Sequence, residues 1–261
     1  MRRFKRKRQD AHASDDRSLK CETNDAGDAT VTTIENSQPS GGKTSGSLLR
    51  AMAAPAVSAL ILLFARAVTA VRAIWSHDGP PTRQCVYFAN HSSHGDFILI
   101  WTVLPPRLRR VTRPVAGAEY WLRSSLTRFI GRDVFNAVLI ERERETRTED
   151  PIARMAQTLD GGASLILFPE GTRNQGDDPL LPFKSGIYHL ARSRPDIEFV
   201  PVWISNLNRV MPKGEFVPVP LICTVSFGAP LRLRDGEAKE PFLDRARAAL
   251  LSLSPHAGET P

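Results

Sequence analysis

The chain has 261 residues, 41% of them hydrophobic, which is enough to bury one substantial core with appendages. Its formal net charge of +7 points to anionic partners, namely a membrane, a phosphorylated substrate or nucleic acid; no aromatic-interleaved basic strands or helix-turn-helix pattern supports the last, and no nucleic-acid partner is expected. Cys21, Cys85 and Cys223 show no C-x-x-C spacing and are odd in number, which excludes a disulfide framework and fits a reducing cytosolic compartment.

Residues 1–47 read as a disordered basic and polar tail, rich in Ser, Thr, Asp and Gly and without apolar periodicity. The tail opens on Arg2, Arg3, Lys5, Arg6, Lys7 and Arg8, a cluster that lacks the apolar stretch of a signal peptide and is expected to be solvated. Residues 48–75 turn apolar. The uninterrupted run from Ala51 to Ala65 is shorter than the roughly 20 residues a spanning helix needs, Arg50, Arg66 and Arg72 flank it, and Pro55 allows a break. The segment is expected to form one or two interfacial helices, with arginines at the headgroups and Trp75 at the boundary.

The remainder, 76–261, alternates strands with helices, the pattern of a single α/β domain with a mixed, largely parallel sheet flanked by helices. Strands are expected at Gln84–Ala89, Ala137–Ile140, Leu165–Phe168, Phe199–Ile204 and Leu221–Phe227. Helices are expected from Phe97 to a stop at Pro105-Pro106, from Glu119 to Ile130 with Gly131 as the stop, from Asp150-Pro151 to Gly161-Gly162, over Ser185–Ala191, and from Pro241 to Leu253. Cys85 and Cys223 fall in strands and are expected to be plain core residues.

Two strand ends carry chemistry. The first is Asn90-His91-Ser92-Ser93-His94-Gly95-Asp96, directly after the apolar run Val86–Ala89. Positions five apart on one helix are rotated by about 140°, so His91 and Asp96 meet only if His91 sits in the strand-end turn and Asp96 in the first helical turn behind it. Groups collect in such turns beyond the carboxyl ends of strands. There a carboxylate can hold one ring nitrogen protonated and leave the other to take a proton from a hydroxyl. The alternatives are a strand cap, or a metal set of His91, His94 and Asp96; the latter lacks a zincin-type histidine pair and an obvious fourth ligand. The second strand end is Phe168-Pro169-Glu170-Gly171-Thr172-Arg173, where Gly171 permits close backbone approach and Thr172 and Arg173 suit anionic oxygens; an ordinary turn with a solvated arginine is the alternative.

Together these segments resemble the glycerolipid acyltransferases, specifically the bacterial 1-acylglycerol-3-phosphate acyltransferases. Asn90-His91 with Ser93 and Asp96 is similar to the first family block, NHxSxxD. Val138-Leu139-Ile140-Glu141-Arg142 is similar to the second, Phe168 through Arg173 reproduces the third, and Val200-Pro201-Val202 resembles the hydrophobic fourth. Pro182-Phe183-Lys184-Ser185-Gly186 matches the FKxG step between the third and fourth. The chain departs at Gly95, where a bulky apolar residue is usual, and at Asn136 and Leu139, where glycine and phenylalanine are usual.

The resemblance implies transfer of a fatty acyl chain from an acyl thioester, acyl-CoA or acyl carrier protein, to the free hydroxyl of 1-acylglycerol-3-phosphate, giving phosphatidate. His91 would be the general base and Asp96 its partner; Arg142, Arg173 and the Gly171-Thr172 backbone would hold the acceptor phosphate. Glu170 would orient the glycerol or Arg173, and Lys184 would contact phosphate or the thioester oxyanion. No cofactor or metal is implied, and the expected place is the cytoplasmic face of the inner membrane. Two other readings stand beside it: O-acylation of a different lysolipid such as lyso-ornithine lipid, and metal-dependent hydrolysis through His91, His94 and Asp96.

Overall fold

The computed structural model of the chain describes residues 45–76, 79–93, 95–141, 147–205 and 223–255, with the backbone alone for 45–48. Cys21, His94, Arg142 and nearly all of the expected tail lie outside the described residues. Seven strands form one sheet: β1 (Arg72–Trp75), β2 (Cys85–Ala89), β3 (Thr112–Gly117), β4 (Val138–Ile140), β5 (Ser164–Leu167), β6 (Glu198–Ser205) and β7 (Thr224–Phe227). Their order is β1-β7-β6-β2-β5-β3-β4, and every neighbouring pair is parallel except β6 and β7.

Strand β2 lies mid-sheet and is buried at every position, hence its unbroken apolar run. Its side chains alternate between two cores. Cys85, Tyr87 and Ala89 join the core containing α2 (Asp96–Val103), while Val86 and Phe88 join the core under α6 (Pro151–Asp160), α7 (Gly186–Ser193) and α8 (Lys239–Leu251). Cys85 and Cys223 are fully buried core residues; burial pushes their thiols up to about 12 and about 11.

The expected strands at 84–89, 137–140, 165–168 and 199–204 and the helix at 151–160 are present within a residue or two. Four features differ. Residues 72–75 are not the end of an interfacial helix but strand β1, and Trp75 stacks on Phe227 with ring centroids 3.8 Å apart. Pro55 does not break the apolar segment: α1 runs unbroken from Ser45 to Thr69. Strand β3 has no clear signal in the sequence because it contains Pro114. It is tolerated because β3 pairs with β5 over Thr112–Pro114 and with β4 only from Val115 onward.

The fourth difference is the expected helix from Glu119 to Ile130. It is two short helices, α4 (Ala118–Trp121) and α5 (Ser125–Phe129), followed by a π-helical turn at Ile130–Val134. Ser124 starts the second helix afresh, because its hydroxyl accepts the Thr127 N–H at 3.1 Å while Thr127 Oγ1 accepts the Ser124 N–H at 3.2 Å. Gly131 is a packing glycine within the turn: a Cβ there would meet Trp121 at 2.9 Å. Asn136, in place of the usual glycine, sits at φ 50°, a left-handed conformation that asparagine tolerates better than most other residues. A short helix, α3 (Pro106–Val111), starts where Pro105-Pro106 ends α2.

Candidate active site

Strands β2 and β5 are parallel neighbours, with Phe88 opposite Leu167, so the loops that leave their carboxyl ends emerge side by side. One loop carries Asn90–Asp96 and the other Phe168–Arg173. Asn90 closes off the strand: its amide accepts the Ile204 N–H at 2.8 Å and donates to the Ile204 carbonyl at 3.1 Å, tying the end of β2 to β6.

His91 and Asp96 meet as the spacing requires, one in the turn and the other at the first residue of α2. The Asp96 carboxylate is fully buried, and its Oδ2 accepts from His91 Nδ1 at 2.8 Å and from the backbone N–H groups of Ser92 and Ser93 at 2.7 and 2.8 Å. An oxygen held by two backbone donors is fixed in place, and it fixes the imidazole in turn. With Nδ1–H donating to the carboxylate, Nε2 keeps its lone pair. The imidazole stacks on Phe168 at 4.2 Å and 21°, and 14% of the His91 side chain stays open to solvent. Gly95 has φ −86°, an ordinary conformation, and Asp96 is aimed by its N–H partners whichever residue precedes it.

The second loop grips the first through the backbone of His91. Glu170 Oε1 accepts the His91 N–H at 2.7 Å, Glu170 Oε2 accepts the Leu181 N–H at 2.9 Å, and the Asn174 N–H donates to the His91 carbonyl at 2.6 Å. Glu170 is 1% exposed, so burial raises its carboxyl above the ordinary range against the opposing pull of those two N–H groups. The expectation that Glu170 orients glycerol or Arg173 does not fit this geometry: both oxygens are committed to backbone N–H groups in the interior. Neither this bracing nor the part of Asn174 has a signal in the sequence, since a backbone contact imposes no spacing.

Gly171, at φ 72°, takes the left-handed conformation that opens the turn, and its missing side chain leaves room for the Lys184 stem, whose Cγ would lie 3.2 Å from a Cβ there. The Lys184 N–H donates to the Pro169 carbonyl at 2.8 Å, which holds the lysine against the same loop. Among the described residues neither the Arg173 guanidinium nor the Lys184 ammonium forms an ion pair. Strand β4 ends at Ile140 on the same sheet edge, separated from β2 by β5 and β3; Arg142, two residues later, lies outside the described residues. Val200 and Val202 of the fourth block are buried in the core beside β2. The metal set rested on His94, outside the described residues; among the described residues no three His, Cys, Asp or Glu side chains cluster as metal ligands.

The chain is 30% identical over 139 residues to the 1-acyl-sn-glycerol-3-phosphate acyltransferase of Haemophilus influenzae, a match covering 48% of this chain and 52% of that one. It is 32% identical over 161 residues to the mouse 1-acyl-sn-glycerol-3-phosphate acyltransferase alpha, covering 60% and 53%. It thus spans about half the length of the curated relatives it matches. Its fold is similar to that of the 1-acyl-sn-glycerophosphate (LPA) acyltransferase PlsC from Thermotoga maritima, with a TM-score of 0.59 at 20% identity over 82% of this chain and 88% of that one. The acyltransferase family profile matches residues 71–205, more than half of the 261, and takes in both strand-end loops: the chain belongs to the acyltransferase family.

Proposed function

We propose that this protein transfers a fatty acyl chain from an acyl thioester to the free hydroxyl of 1-acylglycerol-3-phosphate, forming phosphatidate. The observation that carries the reading is the buried Asp96 carboxylate on His91 Nδ1, which leaves Nε2 as the basic atom of a partly open imidazole. In this reading Nε2 takes the proton of the acceptor hydroxyl as its oxygen attacks the thioester carbonyl. The tetrahedral oxyanion then collapses, the C–S bond breaks, and the imidazolium returns its proton to the leaving thiolate. Asp96 stabilises the imidazolium in between. No protein nucleophile is needed because the thioester is already activated, and no cofactor enters beyond the thioester substrate, acyl-CoA or acyl carrier protein.

The acceptor phosphate would lie against Arg173, with Arg142 as its second guanidinium. Arg173 and Lys184 have no carboxylate partner among the described residues, and the N–H groups of Thr172 and Arg173 donate to nothing there, which suits them to anionic oxygens. Lys184, beside Gly171, would face the phosphate or the oxyanion. Glu170 acts through His91 as a positioning residue.

Helix α1 supports a lipid-bound enzyme. Leu49–Thr69 has a mean hydropathy of 1.9 and is long and apolar enough to cross a membrane by length and composition alone. Ala65 and Thr69 are buried on the domain and Ile61, Leu62 and Val68 pack on its core, while Leu49, Met52, Leu60, Leu63 and Phe64 are exposed on the opposite face. A helix apolar on both faces needs a cover on the outer one. Because its last turns are fixed to the domain, we favour a helix lying in one leaflet, with the domain on the cytoplasmic face of the inner membrane. Purified protein incubated with labelled acyl thioester and a panel of lysolipids tests the whole reading. Transfer to lysophosphatidate is expected; transfer to lyso-ornithine lipid in its place would reassign the acceptor, and transfer to neither would reject the activity.

A further inference from the structure

We propose that the catalytic domain carries a lipid contact of its own, distinct from α1: the ledge of Tyr120, Leu122 and Leu126 with Arg123 and Arg128, which seats in the headgroup layer of an anionic membrane. The proposal rests on the reading that the outer face of α1 meets lipid.

Three large apolar side chains stand exposed within seven residues, Tyr120 at 44%, Leu122 at 36% and Leu126 at 66%. A single exposed leucine is unremarked on any protein surface, but a cluster rimmed by arginines marks a contact. The ledge straddles the break between α4 and α5, where the Ser124–Thr127 capping box restarts the chain, and Leu122 and Leu126 both stand outside. Arg128 donates to the Leu122 carbonyl at 3.2 Å, which keeps its cation over the same turn, and Arg123 is exposed between the two leucines.

The occupant follows from continuity and charge. α5 runs into the π-helical turn, and that turn packs against α1, so the ledge and the exposed Leu60, Leu63 and Phe64 belong to elements that meet at one place. A surface combining exposed leucines, a tyrosine and arginines fits the apolar–anionic boundary of a bilayer. The ledge also connects to the catalytic unit. Trp121 meets Phe97 edge-on at 5.9 Å, and Phe97 directly follows Asp96. Seating the ledge would bring this side of the site to the depth where a lysolipid presents its headgroup.

The test uses the full chain with Cys21→Ser, Leu126→Cys and an environment-sensitive nitrobenzoxadiazole label; Cys85 and Cys223 are buried and escape labelling. Emission should brighten and shift to the blue on phosphatidylcholine vesicles containing phosphatidylglycerol. Leu122→Ser with Leu126→Ser should weaken vesicle partition about tenfold at any salt concentration. Arg123→Gln or Arg128→Gln should weaken it about fivefold, on anionic vesicles and at low salt only. Transfer to a short-chain lysophosphatidate dispersed as monomer should be unchanged in the leucine variant while transfer to vesicle-borne acceptor falls. The fluorescence and partition readings need no catalysis, so absence of transfer in the parent protein would reject the proposed activity and leave the ledge supported by the label. A label that stays dark while the protein floats with vesicles would overturn the ledge. So would a blue shift that grows with protein concentration without vesicles, which would assign the face to a second copy of the chain.

Discussion

Replacing Glu170 by glutamine separates a positioning role from a substrate-binding one. The carboxylate accepts backbone N–H groups from His91 at 2.7 Å and Leu181 at 2.9 Å in a site that is 1% exposed. A glutamine has one acceptor oxygen, so one of those donors would face the amide NH2 group and go unsatisfied. An unpaired buried donor costs about 1–3 kcal/mol, so about 2 kcal/mol is the expected loss. For a domain of this size that is a fall of about 4–8 °C in Tm. The same change loosens His91, so kcat should fall while KM for the lysolipid stays near that of the parent. The pH dependence has a definite sign. Burial raises the folded carboxyl above its unfolded value, so the native state binds the extra proton. The contribution of Glu170 to stability is therefore fully present below the unfolded pKa and diminishes as pH rises through the folded one. Urea unfolding across that window should show the decline in the parent, and Glu170→Gln should flatten it. An unchanged Tm with a raised acceptor KM would refute the argument and return Glu170 to the substrate.

Asp96→Asn should lower kcat by about 10²–10⁴-fold, because the amide carries no charge to stabilise an imidazolium, while thermal unfolding moves far less; equal activity would remove Asp96 as the partner that stabilises the imidazolium. Arg173→Ala should raise KM for lysophosphatidate and leave KM for the thioester nearly unchanged, with Arg173→Lys restoring part of the loss; an equal effect on an acceptor without phosphate would displace Arg173 from the headgroup. Ala70 follows α1 at φ 41°, a left-handed conformation that costs an alanine about 1–2 kcal/mol, so Ala70→Gly should raise stability by about 1 kcal/mol in chemical unfolding.

Much of the catalytic unit was legible because its determinants are local. The run Val86–Ala89 is apolar because β2 is buried on both faces, and the five-residue step from His91 to Asp96 spans one strand-end turn and one helix start. The α6 boundaries were marked by Asp150-Pro151 and Gly161-Gly162, whose capping and turn preferences act within a few residues. Strand β1 was not legible: Arg72–Trp75 continues the apolar character of α1, and only its pairing with β7, some 150 residues away, makes it a strand. The helix break at Ser124 was written in the sequence as Ser124-Ser125-Leu126-Thr127, but apolar periodicity through Leu122, Leu126 and Phe129 masked the capping signal.

The role of Glu170 shows where motif reading and geometry part. A conspicuous acid beside a glycine, a threonine and an arginine invites assignment to a ligand, because all four residue types suit polar contact. Only the surrounding burial distinguishes them: Pro169 and Glu170 face inward while Gly171 and Thr172 are exposed, a division made within four consecutive residues by the left-handed turn at Gly171. The inward carboxylate is then tolerable only if backbone donors meet it, and the donors available are those of the neighbouring catalytic loop and of Leu181. Burying the acid therefore forces the two loops together. The same hydrogen bonds that satisfy Glu170 hold the backbone of His91 in place, so a change that looks chemical in the sequence should act first through the position of the imidazole.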